Sequence, residues 1–321
     1  MLNAVTMTLD NSNDSISLPE IFTMSEAVAA GMTADQVRQR VRSGRWAALG
    51  SGTYSRSLPR ADDLDPFARH RNLHVQLAVA RALKVSGSVI AFGSAAMLHQ
   101  LPLVTGTPQN VELLVPPGAW TGTRTGTRYR SGALAPMEIS HLPAPVTTPL
   151  RTWLDIARIH PFVDAICCGD AALHSGLFTV AALDAALPST DIRGSSRVHR
   201  AARHLNMLRE SALESLSWVR FLDWNIELPT CQFQVTDRGG RFVARVDFCW
   251  EDKMVIGEAD GRLKYTNKES LYQEKLREDR LRELGFEVIR WSWSDLLEPA
   301  AVLNGRISTA LTRSHHTLRS A

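Results

Sequence analysis

The chain reads as a modular α/β protein, and three observations carry that reading. Two capping boxes stand in close succession near the N-terminus, Thr23-Met-Ser-Glu26 and Thr33-Ala-Asp-Gln36, each opening a short helix closed by glycine (Gly31, Gly44). The middle alternates helical and strand-like stretches. Near the C-terminus, Phe242 to Trp250 and Met254 to Asp260 read as two apolar strands, followed by a charged helix and a strand led in by Gly285. The composition predicts three modules, at 1–60, 61–190 and 198–321.

In the first module, the two helices separated by Gly-Met-Thr make a helix-turn-helix. Arg45-Trp-Ala-Ala-Leu and Gly52-Thr-Tyr-Ser read as two small strands around a Gly50-Ser-Gly52 turn, which supplies a wing. Between Arg38 and Arg60 there are six arginines and no acid. A helix of this kind in a major groove presents Gln36, Gln39, Arg40 and Arg42 to base edges or phosphates. Arg38 and Arg45 add positive charge beside them.

The middle module carries less chemistry. Residues 66–84 read as an amphipathic helix, Ser88 to Phe92 and Val111 to Val115 as strands, and Ser94 to His99 as a short helix. Pro149 stands at the first position of a helix, where a missing N–H costs nothing. A second helix runs from Pro161 to Leu173. Arg151 and Asp155 are spaced to pair along one helix face. His99 and His174 sit among apolar residues, which predicts satisfied core histidines rather than ligands. No glycine loop or paired-acid spacing of a nucleotidyltransferase is present, so the segment reads as a scaffold.

The stretch 188–197, rich in Ser, Thr, Gly and Pro, reads as a linker. A basic helix follows it, with Arg200 and Arg203 among its charges and no acid between Ile192 and Arg209. That pattern suits tracking a DNA backbone. Further on, Glu214 lies on a helix on the same face as Trp218 and Phe221. Asp247, Glu258 and Asp260 then interrupt apolar strands that have no packing reason to hold acids. A hairpin turn centred between Asp252 and Lys253 sets residue 247 opposite residue 258, and Asp260 shares the face of Glu258. Facing carboxylates repel unless a cation lies between them, which is the layout of a divalent-metal site for phosphodiester chemistry.

The order of helix with Glu214, strand with Asp247, strand with Glu258, lysine-bearing helix and strand resembles the PD-(D/E)XK nuclease superfamily. In particular it is similar to the Vsr-like (very-short-patch-repair-like) domain of unknown function, over roughly residues 205–298. The resemblance implies a restriction-endonuclease-like fold, with Mg²⁺ (or Mn²⁺) bound by Asp247 and Glu258 and with Glu214 assisting. The chain departs from the pattern where a lysine is expected two positions after the glutamate: Asp260 stands there. Lys264 or Lys275 is then the charge stabiliser, and Asp260 an alternate ligand. No histidine occurs between His204 and His315, so a Vsr-type histidine mechanism is excluded.

The N-terminal stretch Ile21-Phe-Thr-Met-Ser-Glu-Ala, with Arg42-Ser-Gly-Arg45-Trp and Gly52-Thr-Tyr54, resembles AbiEi-type antitoxins, which bind their own promoters as repressors. The Thr148-Pro-Leu-Arg-Thr152 and Asp170-Ala-Ala-Leu173 segments resemble the central region of the same proteins. The two resemblances together imply a double-stranded-DNA-binding protein with a Mg²⁺-dependent endonuclease domain, in a toxin–antitoxin or phage-defence setting. The alternative is a non-enzymatic repressor or antitoxin on a degenerate nuclease fold. A cognate toxin and a second copy of the chain are further candidate partners.

Bulk properties narrow the rest. The net charge is +3 with a pI near 8.8, mildly basic and uninformative about partners by itself. Four cysteines (Cys167, Cys168, Cys231, Cys249) show no C-x-x-C spacing, so buried thiols are expected rather than zinc ligands or disulfides. No apolar run reaches transmembrane length and the first residues lack a signal-peptide pattern, so a cytoplasmic location without membrane partners is expected.

Overall fold

The structure is a computed structural model that describes residues 18–50, 52–56, 66–141, 143–187, 194–260, 268–297 and 301–319. It has a mixed α/β architecture, and its contacts divide the chain into two compact units. One comprises Met1–Ile90, Pro108–Ala135 and Ile139–Val146; the other comprises Ala91–Thr107, Pro136–Glu138 and Thr147–Ala321.

The first unit opens with β1 (Ile21–Thr23), α1 (Met24–Ala29), α2 (Ala34–Arg42), β2 (Ala47–Gly50) and β3 (Thr53–Ser55). Both capping boxes form. Thr23 Oγ1 accepts from the Glu26 N–H and Thr33 Oγ1 from the Gln36 N–H, while Glu26 and Gln36 return a bond to the cap N–H groups. The strands make an antiparallel sheet in the order β1-β3-β2. At three residues, β1 is too short for periodicity to reveal. Phe22, Trp46 and Tyr54 form an aromatic core above Ala27, Met32 and Val37.

The same unit contains α3 (Pro66–Ala82) and a six-stranded sheet. Its strands are β4 (Val89–Ile90), β5 (Val111–Val115), β6 (Gly122–Arg124), β7 (Thr127–Ser131), β8 (Ile139–His141) and β9 (Pro145–Thr147). The spatial order is β6-β7-β5-β4-β9-β8, which leaves β6 on one edge. Buried throughout, β5 reads clearly in the sequence, as does its neighbour β4; the edge strands β6 and β8 are short and without a buried residue, and do not.

The second unit begins with α4 (Phe92–Leu98), α5 (Pro149–Ile159), α6 (Phe162–His174), α7 (Val180–Ala186), α8 (Ser195–Ala202) and α9 (Ala212–Asp223). Trp153, Ile156, Ile166, Leu183, Val198, Ala201 and Val219 share one core, so packing is continuous from α5 to α9 on both sides of the 188–197 stretch. Arg151 pairs with Asp155 at 3.1 Å as its spacing predicts, and also with Glu138. Of the two histidines, His99 is half-buried and bonds the Thr147 carbonyl at 2.7 Å. His174 is exposed and bonds the Met207 carbonyl, which corrects the core placement expected of it. All four cysteines are free and buried.

A four-stranded mixed sheet completes the unit: β10 (Thr230–Thr236), β11 (Phe242–Trp250), β12 (Val255–Ala259) and β13 (Glu287–Trp291), in that spatial order. The helix α10 (Lys268–Glu283) lies between β12 and the parallel β13, as a parallel connection requires. Two helices, α11 (Trp293–Leu297) and α12 (Ala301–Arg319), follow. One face of the sheet packs Phe248, Trp250 and Trp291 against Phe221 of α9 and Leu303 and Ile307 of α12. The other packs Cys249 and Ile256 against Leu281 of α10.

Candidate active site

The β11–β12 hairpin has the register predicted from its turn. Phe248 pairs with Gly257, Cys249 with Ile256 and Trp250 with Val255, so the next position on each strand sets Asp247 against Glu258. Alternation puts both acids on the face of Cys249 and Ile256, beneath α10. Gly257, next to Glu258, is required on the opposite face: a Cβ there would lie 2.4 Å from the Trp291 ring. Glu258 is 8% exposed. Asp247 is half-buried, and its Oδ2 accepts the Ala259 N–H at 2.8 Å.

Glu214 arrives from the first turn of α9 and is 5% exposed. Ser211 caps that helix and donates to Glu214 Oε1 at 2.7 Å, while the Glu210 N–H donates to Oε2 at 3.0 Å. The sequence reading missed the link to the sheet. Gln232 on β10 donates its amide to Glu214 Oε2 at 2.9 Å and lies 3.4 Å from Asp247 Oδ1. Its backbone has φ of +51°, a left-handed conformation that a non-glycine residue adopts only when its surroundings enforce it. Cys231 and Phe248 on one side of this point pack toward α9, whereas Phe233 and Val246 on the other side pack toward α10. The β10–β11 ribbon therefore changes face at Gln232 and Asp247, and this turn brings an acid of α9 to an acid of β11.

These surroundings act on Asp247. Burial, and then the negative charge of Glu214, push its carboxyl up to about 6; the Ala259 N–H, the Gln232 amide and the Arg277 guanidinium pull the other way. A buried acid with a raised pKa beside a second acid is a common signature of a functional site.

The cation that approaches the acids is an arginine. Arg277 Nη2 on α10 donates to Glu258 Oε1 at 3.1 Å, and Nη1 donates to the Arg245 carbonyl. Lys275, two residues earlier, is exposed and lies about 200° away around the helix, so Arg277 takes the place expected of it. Lys264 lies outside the described residues. Asp260 is tied to β13: its N–H donates to the Trp291 carbonyl, and its carboxylate lies 3.6 Å from Arg290.

The donor set is oxygen only, which suits Mg²⁺ or Mn²⁺ and disfavours softer metals. Among the described residues no group of three His, Cys, Asp or Glu side chains could hold a metal ion by itself. Two carboxylates still fit Mg²⁺, which keeps several waters and commonly takes one or two acids plus substrate phosphate.

Behind the acids, Arg209 and Asp170 form a fully buried pair at 2.6 Å. Asp170 also accepts from Ser215, next to Glu214, and from the Asn206 N–H, while Arg209 stacks over Trp218. The pair locks the start of α9 against α6.

In the first unit the six predicted DNA-contacting residues divide by their internal partners. Gln36 is spent on the capping box, Arg38 pairs with Asp35, and Arg40 lies over the Trp46 ring at 5.1 Å. Gln39, Arg42 and Arg45 are exposed. On α8, Arg200 stacks on Phe162 at 4.2 Å and Arg203 is exposed at the helix end.

No protein-family model matches the chain. It is 25% identical over 295 residues to the uncharacterized protein MT2308 of Mycobacterium tuberculosis strain CDC 1551 / Oshkosh, covering 88% of this chain and 98% of that one. The same figures hold for the uncharacterized protein Rv2248 of strain H37Rv. Among solved structures, the RV2827C protein from M. tuberculosis matches at 18% identity with a TM-score of 0.29, over 59% of this chain and 77% of that one. Among the described residues, no helix is long and apolar enough to cross a membrane.

Proposed function

We propose that this chain binds double-stranded DNA through a winged helix-turn-helix formed by α1, α2 and the β2–β3 hairpin. We further propose that it hydrolyses phosphodiester bonds at a Mg²⁺-dependent site on Asp247 and Glu258, in a restriction-endonuclease-like domain. The observation that carries the second half is the gathering of Glu214, Asp247 and Glu258 from three different elements, with Asp247 pushed up to about 6. Buried acids placed together are costly to a fold, and a packing role does not explain them.

Asp247 and Glu258 are the metal-holding pair. When bound, the metal supplies a lowered water pKa and charge neutralisation at the phosphoryl oxygens. Gln232 orients Asp247 and fixes Glu214, whose oxygens are already occupied by Ser211, Glu210 and Gln232. Arg277 balances charge at Glu258 before substrate arrives and is placed to meet a phosphate oxygen afterwards. Incubating supercoiled plasmid with the protein and Mg²⁺ should yield nicked circles, while EDTA or Asp247→Ala should abolish them. Equal nicking by wild type and Asp247→Ala would sink this assignment.

A specific observation favours a second reading. Glu258 and Asp260 both face arginines, Arg277 and Arg290, as in a closed salt-bridge cluster. On that reading the chain is a non-cutting repressor or antitoxin whose partners are its promoter and a cognate toxin. Promoter binding without nicking at any divalent-metal concentration would select it.

A further inference from the structure

The edge hairpin of the first unit's larger sheet has no part in either reading. Its sequence repeats a four-residue unit, Thr121-Gly-Thr-Arg124 and Thr125-Gly-Thr-Arg128, and ends in Tyr129-Arg130. No acid occurs between Glu112 and Glu138. The strands β6 and β7 pair as Gly122↔Tyr129, Thr123↔Arg128 and Arg124↔Thr127, so Gly122, Arg124 and Tyr129 share one face. Every residue of β6 is exposed.

Trp120, just before β6, is 61% exposed, an unusual state for a tryptophan held in place. Its ring lies 5.7 Å from that of Tyr129, tilted at 60°. Gly122 makes room for it: a Cβ there would meet the Trp120 ring at 2.8 Å, and the backbone φ of +142° excludes most other residues. Arg124 and Arg128 are exposed and, among the described residues, show no ion pair; Arg128 Nε reaches Thr123 Oγ1 at 3.5 Å. Arg130, by contrast, lies 3.7 Å from Glu112. The hairpin thus offers an open, positioned aromatic ring with Arg124 on its own face, while Arg128, paired with Thr123, lies on the opposite face of the ribbon.

We propose that this hairpin is a binding surface for single-stranded nucleic acid, with Trp120 stacking on an unpaired base and Arg124, on the same face, contacting a flanking phosphate. Charge complementarity selects a polyanion, and the exposed ring selects one whose base faces are free, as in a single strand. The surface is independent of the acids around Asp247.

The test uses the full-length protein in EDTA, which prevents cleavage, and a fluorescein-labelled 20-mer of thymidine read by anisotropy. Wild type should bind it, with Trp120→Ala about tenfold weaker and Trp120→Phe close to wild type, because stacking needs only a π-face. Arg124→Ala should lower the salt slope by about 0.7, the increment for one phosphate on a single strand, and Arg128→Ala, on the opposite face, should leave it unchanged. Trp120 is largely exposed, so thermal melts of these variants should match wild type and exclude unfolding. A wild type that fails to bind the 20-mer overturns the proposal. So does a Trp120→Ala protein that binds like wild type, or one that loses only duplex binding. Loss of association with another protein while 20-mer binding is unchanged would assign the surface to a protein partner instead.

Discussion

Arg277 on α10 and Glu258 on β12 are 3.1 Å apart, so the acid most central to the candidate site carries its counter-ion from a helix that packs over it. This contact sets up a competition. A divalent cation can take Glu258 only by displacing or sharing with the guanidinium, whereas a phosphate brought alongside the cation gives the guanidinium a new partner. Arg277→Ala should therefore tighten Mg²⁺ binding, by about tenfold if the displaced contact is worth about 1.4 kcal/mol, while lowering any nicking rate. Isothermal titration of both proteins measures the first effect. Unchanged affinity would place the cation away from Glu258.

The raised pKa of Asp247 makes a pH prediction whose sign is fixed. Its folded value of about 6 exceeds the ordinary 3.8, so between those values the folded protein holds a proton that the unfolded chain has released. Stability therefore falls as pH rises from 4 to above 6, and the charged form costs about 3 kcal/mol at most at neutral pH. Asp247→Asn should raise the melting temperature in EDTA at pH 7.5 and leave it unchanged near pH 3.5. A loss of stability at pH 7.5 would show that the carboxylate's bond to the Ala259 N–H outweighs its crowding by Glu214.

Divalent metal should reverse that penalty. Mg²⁺ or Mn²⁺ should stabilise the protein by mass action, by about 2.7 kcal/mol at a hundred times its dissociation constant. The response should be larger at pH 8 than at pH 5, where protons compete for the same oxygens. Asp247→Asn and Glu258→Gln should each remove most of it. A melt indifferent to both ions would leave the repressor reading ahead.

Much of this arrangement is visible in the sequence, and the reason is local. The β11–β12 register follows from a short turn and alternating apolar residues, and the caps of α1 and α2 from residues three apart. Glu214, Asp247 and Glu258 stand out because they interrupt apolar patterns. Gln232 and Arg277 do not: a polar residue on an edge strand and an arginine on a charged helix look like solvated surface until tertiary packing turns them inward. Nothing in the residues around Gln232 announces its positive φ, which arises where the ribbon passes from one core to the other. Lys275 gives way to Arg277 for the same reason: α10 carries many charges, and only its rotation on the sheet decides which one faces Glu258.

The buried Arg209–Asp170 pair should be costly to break from either side. Arg209→Met leaves a carboxylate facing Ser215 and the Asn206 N–H without its cation, and Asp170→Leu leaves a guanidinium at full burial. Removing one partner of such a pair costs about 3–5 kcal/mol. The double variant should recover part of the loss. Because Ser215 adjoins Glu214, Asp170→Asn should also loosen the site, and a nicking rate that falls more than the melt predicts would show it. Additive single losses would mean that the two residues act separately.

The N-terminal residues divide into those that build the helices and those left exposed for the proposed DNA contact, and the division can be tested by salt dependence. Gln36→Ala removes one side of a capping box and should lower stability without changing the salt slope of promoter binding. Arg40→Ala removes a guanidinium from the Trp46 ring and should lower stability and affinity together. Arg42 and Arg45 are exposed, and each alanine variant should keep its melting temperature while lowering the slope by about 0.9, the loss of one duplex phosphate contact. Gln39→Ala should weaken binding to the preferred sequence and leave binding to random duplex unchanged, since an amide reads base edges rather than charge. If the Gln39, Arg40, Arg42 and Arg45 variants all reduced affinity equally on every sequence, α2 would be lying along the backbone and not in the groove.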